Sequence, residues 1–138
     1  MSIISEWNQA IVEEFRANGG EVGGRFTGRN LLLLHTIGRK SGQELINPLA
    51  YVRDGGQYVI IASKGGAPIH PDWYYNLIAH PVVTIEVGTK SFQVRAAETQ
   101  EPERSRLYEK MIEMMPAFAE YRKKTRRVIP VFVLTKVS

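Results

Sequence analysis

Two short basic loops contain the residues best suited to bind an anion. The first spans residues 39–43 and supplies two cations, a hydroxyl, an amide and a glycine that lets backbone N–H groups approach a ligand closely. The second spans residues 63–66, where a serine and a lysine precede two glycines. If the predicted strands 30–36 and 57–62 lie side by side, both loops face one cleft. Each loop alone is also compatible with a solvated turn, but together they predict a site for a phosphate or a string of carboxylates.

A third basic cluster lies between a predicted helix and the last predicted strand. A nucleic-acid site would need a longer basic face with base-stacking aromatic side chains, and Tyr121 is the only aromatic residue nearby. The formal net charge of +4 is compatible with an anionic ligand without requiring one. We therefore assign this cluster a solubilising or tail-binding role and predict no nucleic-acid partner. Its members are Arg122, Lys123, Lys124, Arg126 and Arg127.

Several other chemistries lack the residues they need. The chain has no cysteine, which excludes disulfides, thiolate nucleophiles and thiolate metal sites. His35, His70 and His80 lack the spacing of metal ligands, so no metal is predicted. Arg39 stands where a Walker loop requires glycine before Lys40, and the early glycines precede a strand, which argues against a Rossmann site. The sequence also contains no Gly-x-Ser-x-Gly elbow of a hydrolase.

Hydrophobic periodicity and turn residues predict six strands and four helices. Residues 3–17 have the pattern of an amphipathic helix, with Trp7 in its apolar stripe. Strands joined by short turns, as at Asp54-Gly-Gly, favour an antiparallel sheet that closes into a small barrel. The predicted strands are 30–36, 45–53 (interrupted by Pro48, which indicates an edge or a bulge), 57–62, 82–87, 91–97 and 129–136, and the later predicted helices are 72–79, 101–114 and 116–124.

These elements are expected to form one domain, residues 1–138, in which an N-terminal helix (1–18) precedes the barrel (28–138). The N-terminus lacks a signal-peptide pattern, and no apolar run approaches the roughly 20 residues that span a bilayer. We therefore expect a cytoplasmic protein, either a monomer or a homodimer. The helix stripe is expected to pack on the domain, and the alternative is a peripheral membrane contact with Trp7 at the interface.

Aromatic residues concentrate at positions 73–75, where side chains pointing in different directions suit a planar ligand; the alternative is that one tyrosine is simply buried against the barrel. Around them, six motifs occur in an order that resembles the deazaflavin (F420)-dependent nitroreductase family, best known from actinobacteria. The resemblance covers residues 28–134, nearly the whole chain. The motifs are Gly38-Arg-Lys-Ser-Gly-Gln43, Asn47-Pro-Leu49, Asp54-Gly-Gly56, Ala62-Ser-Lys-Gly-Gly66, His70-Pro-Asp-Trp-Tyr-Tyr-Asn-Leu77 and Thr125-Arg-Arg-Val-Ile-Pro130.

The resemblance implies an α+β, mainly β, fold: a split β-barrel of about six antiparallel strands with flanking helices, with F420 across a groove. F420 carries a phosphate and an oligoglutamate tail, so a basic loop would hold its phosphate end. Strand and turn backbone would contact the deazaflavin ring, and an aromatic helix would close the site. These three sets are Arg39, Lys40, Ser41, Gly42 and Gln43 with Lys64 and Gly65 nearby; Pro48, Leu49, Ala62 and Ser63; and Asp72, Trp73, Tyr74 and Asn76.

The same resemblance implies an oxidoreductase that transfers hydride from reduced F420 to a small-molecule acceptor. The protein would contribute position, electrostatics and water exclusion, with Tyr121 and Ser63 as candidate proton donors. The segment that is tyrosine-rich in nitroimidazole-reducing members has Met115 and Phe118 here and keeps only Tyr121. We expect these three residues to bind a largely apolar acceptor such as a quinone, an enone or a nitroaromatic. The alternatives are an FMN-binding split-barrel reductase and a non-catalytic binder of F420.

Overall fold

The computed structural model describes residues 2–137, apart from the side chains of Ser2, Ile3, Trp7 and Arg25. The predicted contribution of Trp7 to the helix stripe therefore lies outside the described residues, whereas the predicted start of the helix at Ile3 is wrong, because Ile3 is in a strand and the helix begins at Glu6. The strands are β1 (Ser2–Ile3), β2 (Leu31–Ile37), β3 (Glu44–Ala50), β4 (Val52–Asp54), β5 (Gln57–Ile61), β6 (Val82–Val87), β7 (Lys90–Glu98) and β8 (Val131–Lys136). The helices are α1 (Glu6–Ala17), α2 (Asp72–Ala79), α3 (Glu103–Met114) and α4 (Ala117–Lys124).

The strands form one sheet in the order β1-β3-β2-β6-β7-β8-β5-β4. Every pairing is antiparallel except that of β1 with β3. β3 and β4 are two halves of one bent segment, because only Tyr51 separates them. The first half pairs with β2 and the second half with β5. The sheet thus returns to its starting segment and forms a split β-barrel, which confirms the predicted fold class.

Three details of the sheet differ from the sequence-based expectations. β2 and β5 are not neighbours, because β6, β7 and β8 separate them in the sheet. The segment 44–54 breaks at Tyr51, whereas Pro48 lies inside β3 and pairs with Leu33. β1 was not predicted, since a two-residue strand carries no periodic signal.

The core has one cluster inside the barrel and two on its outer faces. Leu32 and Leu34 point into the interior, whereas Leu31 and Leu33 pack beneath α1. This explains why β2 lacks alternation, since both of its faces are covered. The second outer cluster lies beneath α3 and α4 and includes Tyr108.

Helix α1 is attached to the barrel by its apolar side. Val12 and Phe15 are each 1% exposed, which confirms that the stripe packs on the domain and gives the membrane alternative no support. On the polar side, Arg16 forms an ion pair with Glu86 at 2.7 Å. Among the described residues, no helix is long and apolar enough to cross a membrane. The cytoplasmic location stays a prediction.

Candidate functional site

A cavity of about 710 Å³ lies between β3 and the end of β5, where the bent segment 44–54 no longer pairs with β5. Strand β3 forms one wall, the turn after β5 and the start of α2 form a second, and α4 forms a third. The start of α1 and the loop before β2 complete the lining. The lining residues are Leu45–Ala50, Ile61, Ser63–Gly65, Pro71–Trp73, Met115, Phe118 and Tyr121, together with Ser5, Asn8 and Phe26.

On the side away from β2, β3 pairs with β1 as far as Leu45, and beyond that residue its backbone edge is unpaired within the described part of the chain. The Tyr51 N–H donates to the Asn30 carbonyl at 3.1 Å, and the Gly38 N–H donates to the Gln43 carbonyl at 2.8 Å. In an antiparallel ladder, hydrogen-bonded positions alternate along a strand. Odd-numbered residues of β3 therefore bond to β2, whereas the backbone groups of Ile46, Pro48 and Ala50 point away from it. All three residues line the cavity.

This register also explains the proline within β3. Proline has no backbone N–H, so in a sheet it is tolerated where that group would face an unpaired edge. Pro48 occupies such a position, beyond the short pairing of β3 with β1, which ends at Leu45. Near Pro48 the strand therefore offers the cavity a carbonyl acceptor without an adjacent donor from the same residue.

The opposite edge of the split belongs to β5. The Ala62 N–H donates to the Pro130 carbonyl at 2.9 Å, so the backbone groups of Ile61 point away from β8. Extending the pairing of Val52 with Val59 by two residues places Ala50 opposite Ile61. Polar backbone groups from two separated strand edges thus border the cavity, an arrangement suited to a planar ligand with donors and acceptors on its rim.

The turn after β5 has a left-handed backbone at three consecutive residues, a conformation that glycine adopts most readily. Lys64, Gly65 and Gly66 have φ values of 48°, 63° and 85°, all in the left-handed region. The Gly66 N–H donates to the Ser63 carbonyl at 2.9 Å and closes the turn. Ser63 is buried, whereas Lys64 is exposed at the cavity wall. A hydroxyl and a mobile cation therefore border the same end of the cavity.

The basic loop 39–43 docks on α2 and does not line the cavity. The Arg39 N–H donates to Asn76 Oδ1 at 3.1 Å, and Asn76 Nδ2 donates to Thr36 Oγ1 at 3.3 Å. Asn76 is 4% exposed, so it positions the loop and does not itself face the cavity. Because Asn76 follows Asp72 by about one helical turn, the loop lies beside the helix end that borders the cavity.

Two other predicted cofactor residues lie outside the cavity lining and have hydrogen-bond partners within the protein. Ala62 is fully buried, and its carbonyl accepts a hydrogen bond from the Arg127 guanidinium. Tyr74 donates through its hydroxyl to Glu98 at 3.0 Å and stacks on the His70 ring, with the centroids 4.3 Å apart. Burial and the nearby Glu98 carboxylate raise the pKa of Tyr74 above its ordinary value. Neither residue lines the cavity.

Helix α4 supplies the apolar wall, and two hydrogen bonds, one of them buried, hold the start of this helix in place. The Tyr108 hydroxyl donates to the Phe118 carbonyl at 2.7 Å, and burial raises the pKa of Tyr108 to about 12. Arg29 donates to the Met114 carbonyl at 2.5 Å, next to Met115. The side chains of Met115 and Phe118, together with the Tyr121 ring, therefore face the cavity from a fixed helix start.

The structure brings together most of the predicted site. The predicted residues that line one cavity are Pro48, Leu49, Ser63, Lys64, Gly65, Asp72, Trp73, Met115, Phe118 and Tyr121, whereas Arg39, Lys40, Ser41, Gly42, Gln43, Ala62, Tyr74 and Asn76 lie outside its lining.

Sequence reasoning missed the contributions of α1 and Arg127. Ser5 and Asn8 lie at the polar start of an amphipathic helix, and nothing in that pattern separates a cavity wall from a solvated face. Arg127 belonged to a cluster read as solubilising or tail-binding. Its guanidinium instead binds backbone carbonyls of the turn after β5. The motif Thr125-Arg-Arg-Val-Ile-Pro130 was the only signal that could have singled it out.

Comparison with known proteins defines the class. A family model described as F420H(2)-dependent quinone reductase matches residues 7–136, so the chain belongs to that family and is an F420-dependent reductase. This confirms the predicted cofactor and enzyme type, and it gives the FMN alternative no support.

Individual relatives agree with this assignment. An F420H(2)-dependent quinone reductase of Mycobacterium tuberculosis is 44% identical over 126 residues, which cover 88% of this chain and 85% of the relative. A solved structure of an F420-H2 dependent reductase is 40% identical to this chain. The match covers 81% of this chain and 99% of the solved chain, with a TM-score of 0.71. A second solved structure, described as a domain-swapped dimer, is 37% identical to this chain. The match covers 94% of this chain and 97% of the solved chain, with a TM-score of 0.72.

Proposed function

We propose that this protein transfers hydride from F420H2 to a small, largely apolar acceptor such as a quinone, at the cavity in the barrel split. The observation that carries the proposal is the combination of two free strand edges with the apolar wall of α4 around one cavity of about 710 Å³. The strand edges suit the cofactor ring, and the apolar wall suits the acceptor. Enones and nitroaromatics are further candidate acceptors.

The residues around the cavity fit F420. When bound, this cofactor supplies the hydride from its ring carbon. The edges at Pro48, Ala50 and Ile61 would bind the rim of a planar heterocycle through backbone donors and acceptors. Lys64 would face an anionic part of the cofactor, since it is the exposed cation in the cavity lining. The loop 39–43 would meet the phosphate or tail beyond the start of α2.

The acceptor side would be formed by α4 and α1. Met115 and Phe118 offer an apolar surface, which favours a quinone ring over a strongly polar acceptor. Asn8 and Ser5 would place polar groups on the facing wall. Exclusion of water between these walls would limit the loss of hydride to solvent.

A proton must reach the reduced acceptor, and two hydroxyls border the cavity. Tyr121 lies on the α4 wall, and Ser63 lies at the start of the turn after β5. The Ser63 carbonyl is held by Arg127 at 2.6 Å, so its side chain leaves from a fixed backbone. We propose Tyr121 as the proton donor on the acceptor side and Ser63 as the donor nearer the cofactor.

The acceptor class can be tested by steady-state oxidation of F420H2 with a quinone, an enone and a nitroaromatic. We expect the highest kcat/KM for the quinone. The substitution Phe118→Tyr should lower kcat/KM for the quinone with little change in the KM for F420H2. Val137→Thr, at an exposed position outside the cavity lining, is the matched control. Turnover with the nitroaromatic but not with the quinone would overturn the proposed acceptor and leave the cofactor assignment standing.

The oligomeric state is a separate proposal. Because a structure 37% identical to this chain is described as a domain-swapped dimer, we propose a homodimer. Light scattering coupled to size-exclusion chromatography distinguishes this from a monomer of 15.6 kDa.

A further inference from the structure

We propose that Arg127 is the positioning residue of the cofactor end of the cavity, because its guanidinium fixes the turn 62–67 and aligns that turn with the start of α2. Arg127 would act through backbone carbonyls and would not touch the cofactor. The proposal rests on the proposed function only in taking this end of the cavity as the F420 site.

The first support is the set of bonds from Arg127 to the turn. Its Nε donates to the Ala67 carbonyl at 2.8 Å, and its Nη2 donates to the Ser63 carbonyl at 2.6 Å. Its Nη1 donates to the Ala62 carbonyl at 3.2 Å. These three carbonyls flank the left-handed residues Lys64 and Gly65, so one rigid fork holds both ends of a strained backbone.

The second support is a contact with the residue that leads into α2. Arg127 Nη1 lies 3.0 Å from His70 Nδ1. Since guanidinium has no acceptor, Nδ1 must accept this bond, and the proton of the neutral imidazole is on Nε2. His70 is followed by Pro71 and Asp72, which line the cavity. Arg127 therefore joins two of the segments that form the cofactor end.

The third support is the position of Arg127 relative to α4. The Arg127 N–H donates to Thr125 Oγ1 at 3.2 Å, directly after the helix. The turn also packs on the helix itself, because a Cβ built on Gly66 would lie 2.7 Å from the Tyr121 carbonyl oxygen. Arg127 thus sits where the turn, the start of α2 and the end of α4 meet.

Lysine could not replace this arrangement. A lysine ammonium carries the same charge but is a single point with a flexible stem, so it cannot donate to carbonyls on both sides of the turn and to His70 together. A substitution of Arg127 by lysine therefore separates the geometry of the fork from its charge. Arg126, the neighbouring exposed arginine, allows the same exchange as a matched control.

The test compares Arg127→Lys with Arg126→Lys in two measurements. The first is amide hydrogen exchange in the protein without F420. We expect Arg127→Lys to accelerate exchange at Gly66 and Ala67, whose N–H groups close the turn, and to leave Ile60 in the barrel unchanged. The second is F420 titration, in which Arg127→Lys should raise the dissociation constant by about tenfold or more. Arg126→Lys should change neither quantity.

Kinetics separate positioning from a general loss of structure. Arg127→Lys should raise the KM for F420H2 while leaving the KM for the acceptor near its normal value. For Arg127→Ala, millimolar guanidinium should restore F420 binding, whereas ammonium at the same concentration should not, because only guanidinium reproduces the fork. Restoration by both ions equally would contradict the proposal.

Three other outcomes would overturn the proposal. One is normal exchange at Gly66 and Ala67 in Arg127→Lys, and the second is normal F420 affinity in that variant. The third is equal acceleration at Ile60, which would mean that Arg127 stabilises the whole barrel. If the wild-type protein binds no F420, the proposed function fails, but the exchange data still show whether Arg127 orders the turn.

Discussion

Gly66 and Tyr121 are in direct backbone contact: a Cβ built on Gly66 would stand 2.7 Å from the Tyr121 carbonyl oxygen and 3.1 Å from its Cα. This contact joins the turn that carries Ser63 and Lys64 to the helix that carries the apolar acceptor wall. The contact therefore fixes the turn on the proposed cofactor side against the helix on the proposed acceptor side.

Substitution of Gly66 by alanine tests this contact. The φ of 85° is unfavourable for alanine, and the new methyl group meets backbone that cannot move aside easily. We expect a loss of about 2–5 kcal/mol in the free energy of unfolding, the sum of strain and overpacking. The matched control is Gly65→Ala, with a φ of 63° and no atom within 4 Å of the added carbon. It should lose only about 1–2 kcal/mol. Equal losses in urea unfolding would refute the contact.

Removal of the Asn76 side chain should detach the basic loop from α2. Asn76→Ala leaves the Arg39 N–H and the buried Thr36 hydroxyl without their partner, at a cost of about 1–3 kcal/mol. We expect weaker F420 binding as well, because the loop would lose its fixed position. Thr36→Val removes only one of the two bonds and should have a smaller effect on binding. Wild-type affinity in Asn76→Ala would show that loop 39–43 contributes nothing to the cofactor site.

His70 should make stability depend on pH just below neutrality. Burial and the Arg127 charge lower the pKa of His70 beneath its ordinary value of 6.5. Below pH 6.5 the unfolded chain therefore binds a proton that the folded protein resists, and the free energy of unfolding falls until the lowered pKa is passed. His70→Asn, which keeps an acceptor for Arg127, should flatten this dependence between about pH 7 and pH 5. His80→Asn, at an exposed position after α2, should retain it.

Lys64 and Lys40 should differ in their effects on F420 affinity. Lys64→Gln removes an exposed cation from the cavity wall and should weaken binding by on the order of 1 kcal/mol, with a reduced dependence on salt. Lys40→Gln should cost less, since the loop that contains Lys40 does not line the cavity. Lys90→Gln, at the exposed start of β7, is the control. A larger effect at Lys40 would place the anion of the cofactor elsewhere.

Local chemistry in the sequence predicted much of the fold. The pair Gly55-Gly56 marks the hairpin between β4 and β5 because glycine readily adopts the backbone that a tight turn needs, and Gly55 has a φ of 62°. The distant pairings were not predictable in this way. The separation of β2 from β5 depends on which strands meet after the chain has folded. Pro48 indicated an edge or a bulge, but the sequence alone could not show which of these applies or which part of the sheet the edge belongs to.

The same distinction applies to the candidate site: residues with a recognisable local chemistry were predicted, whereas residues placed by distant packing were not. Ser63 and Lys64 were found because glycines beside a cation have a recognisable chemistry, and Phe118 was found through its place in a family segment. Asn8 could not be found, since its contact depends on how α1 crosses β3. Arg127 looked like one of several surface cations until the structure placed its guanidinium beneath the turn.

The most direct test of the central claim is a single-turnover reaction of the F420H2-loaded protein with a naphthoquinone, at one equivalent for the stoichiometry and at increasing excess for the rate. We predict that one quinone is reduced for each F420H2 oxidised and that the rate saturates with quinone concentration. A bound cofactor that stays reduced in the presence of the quinone, an enone and a nitroaromatic would contradict the account and indicate a protein that only carries F420.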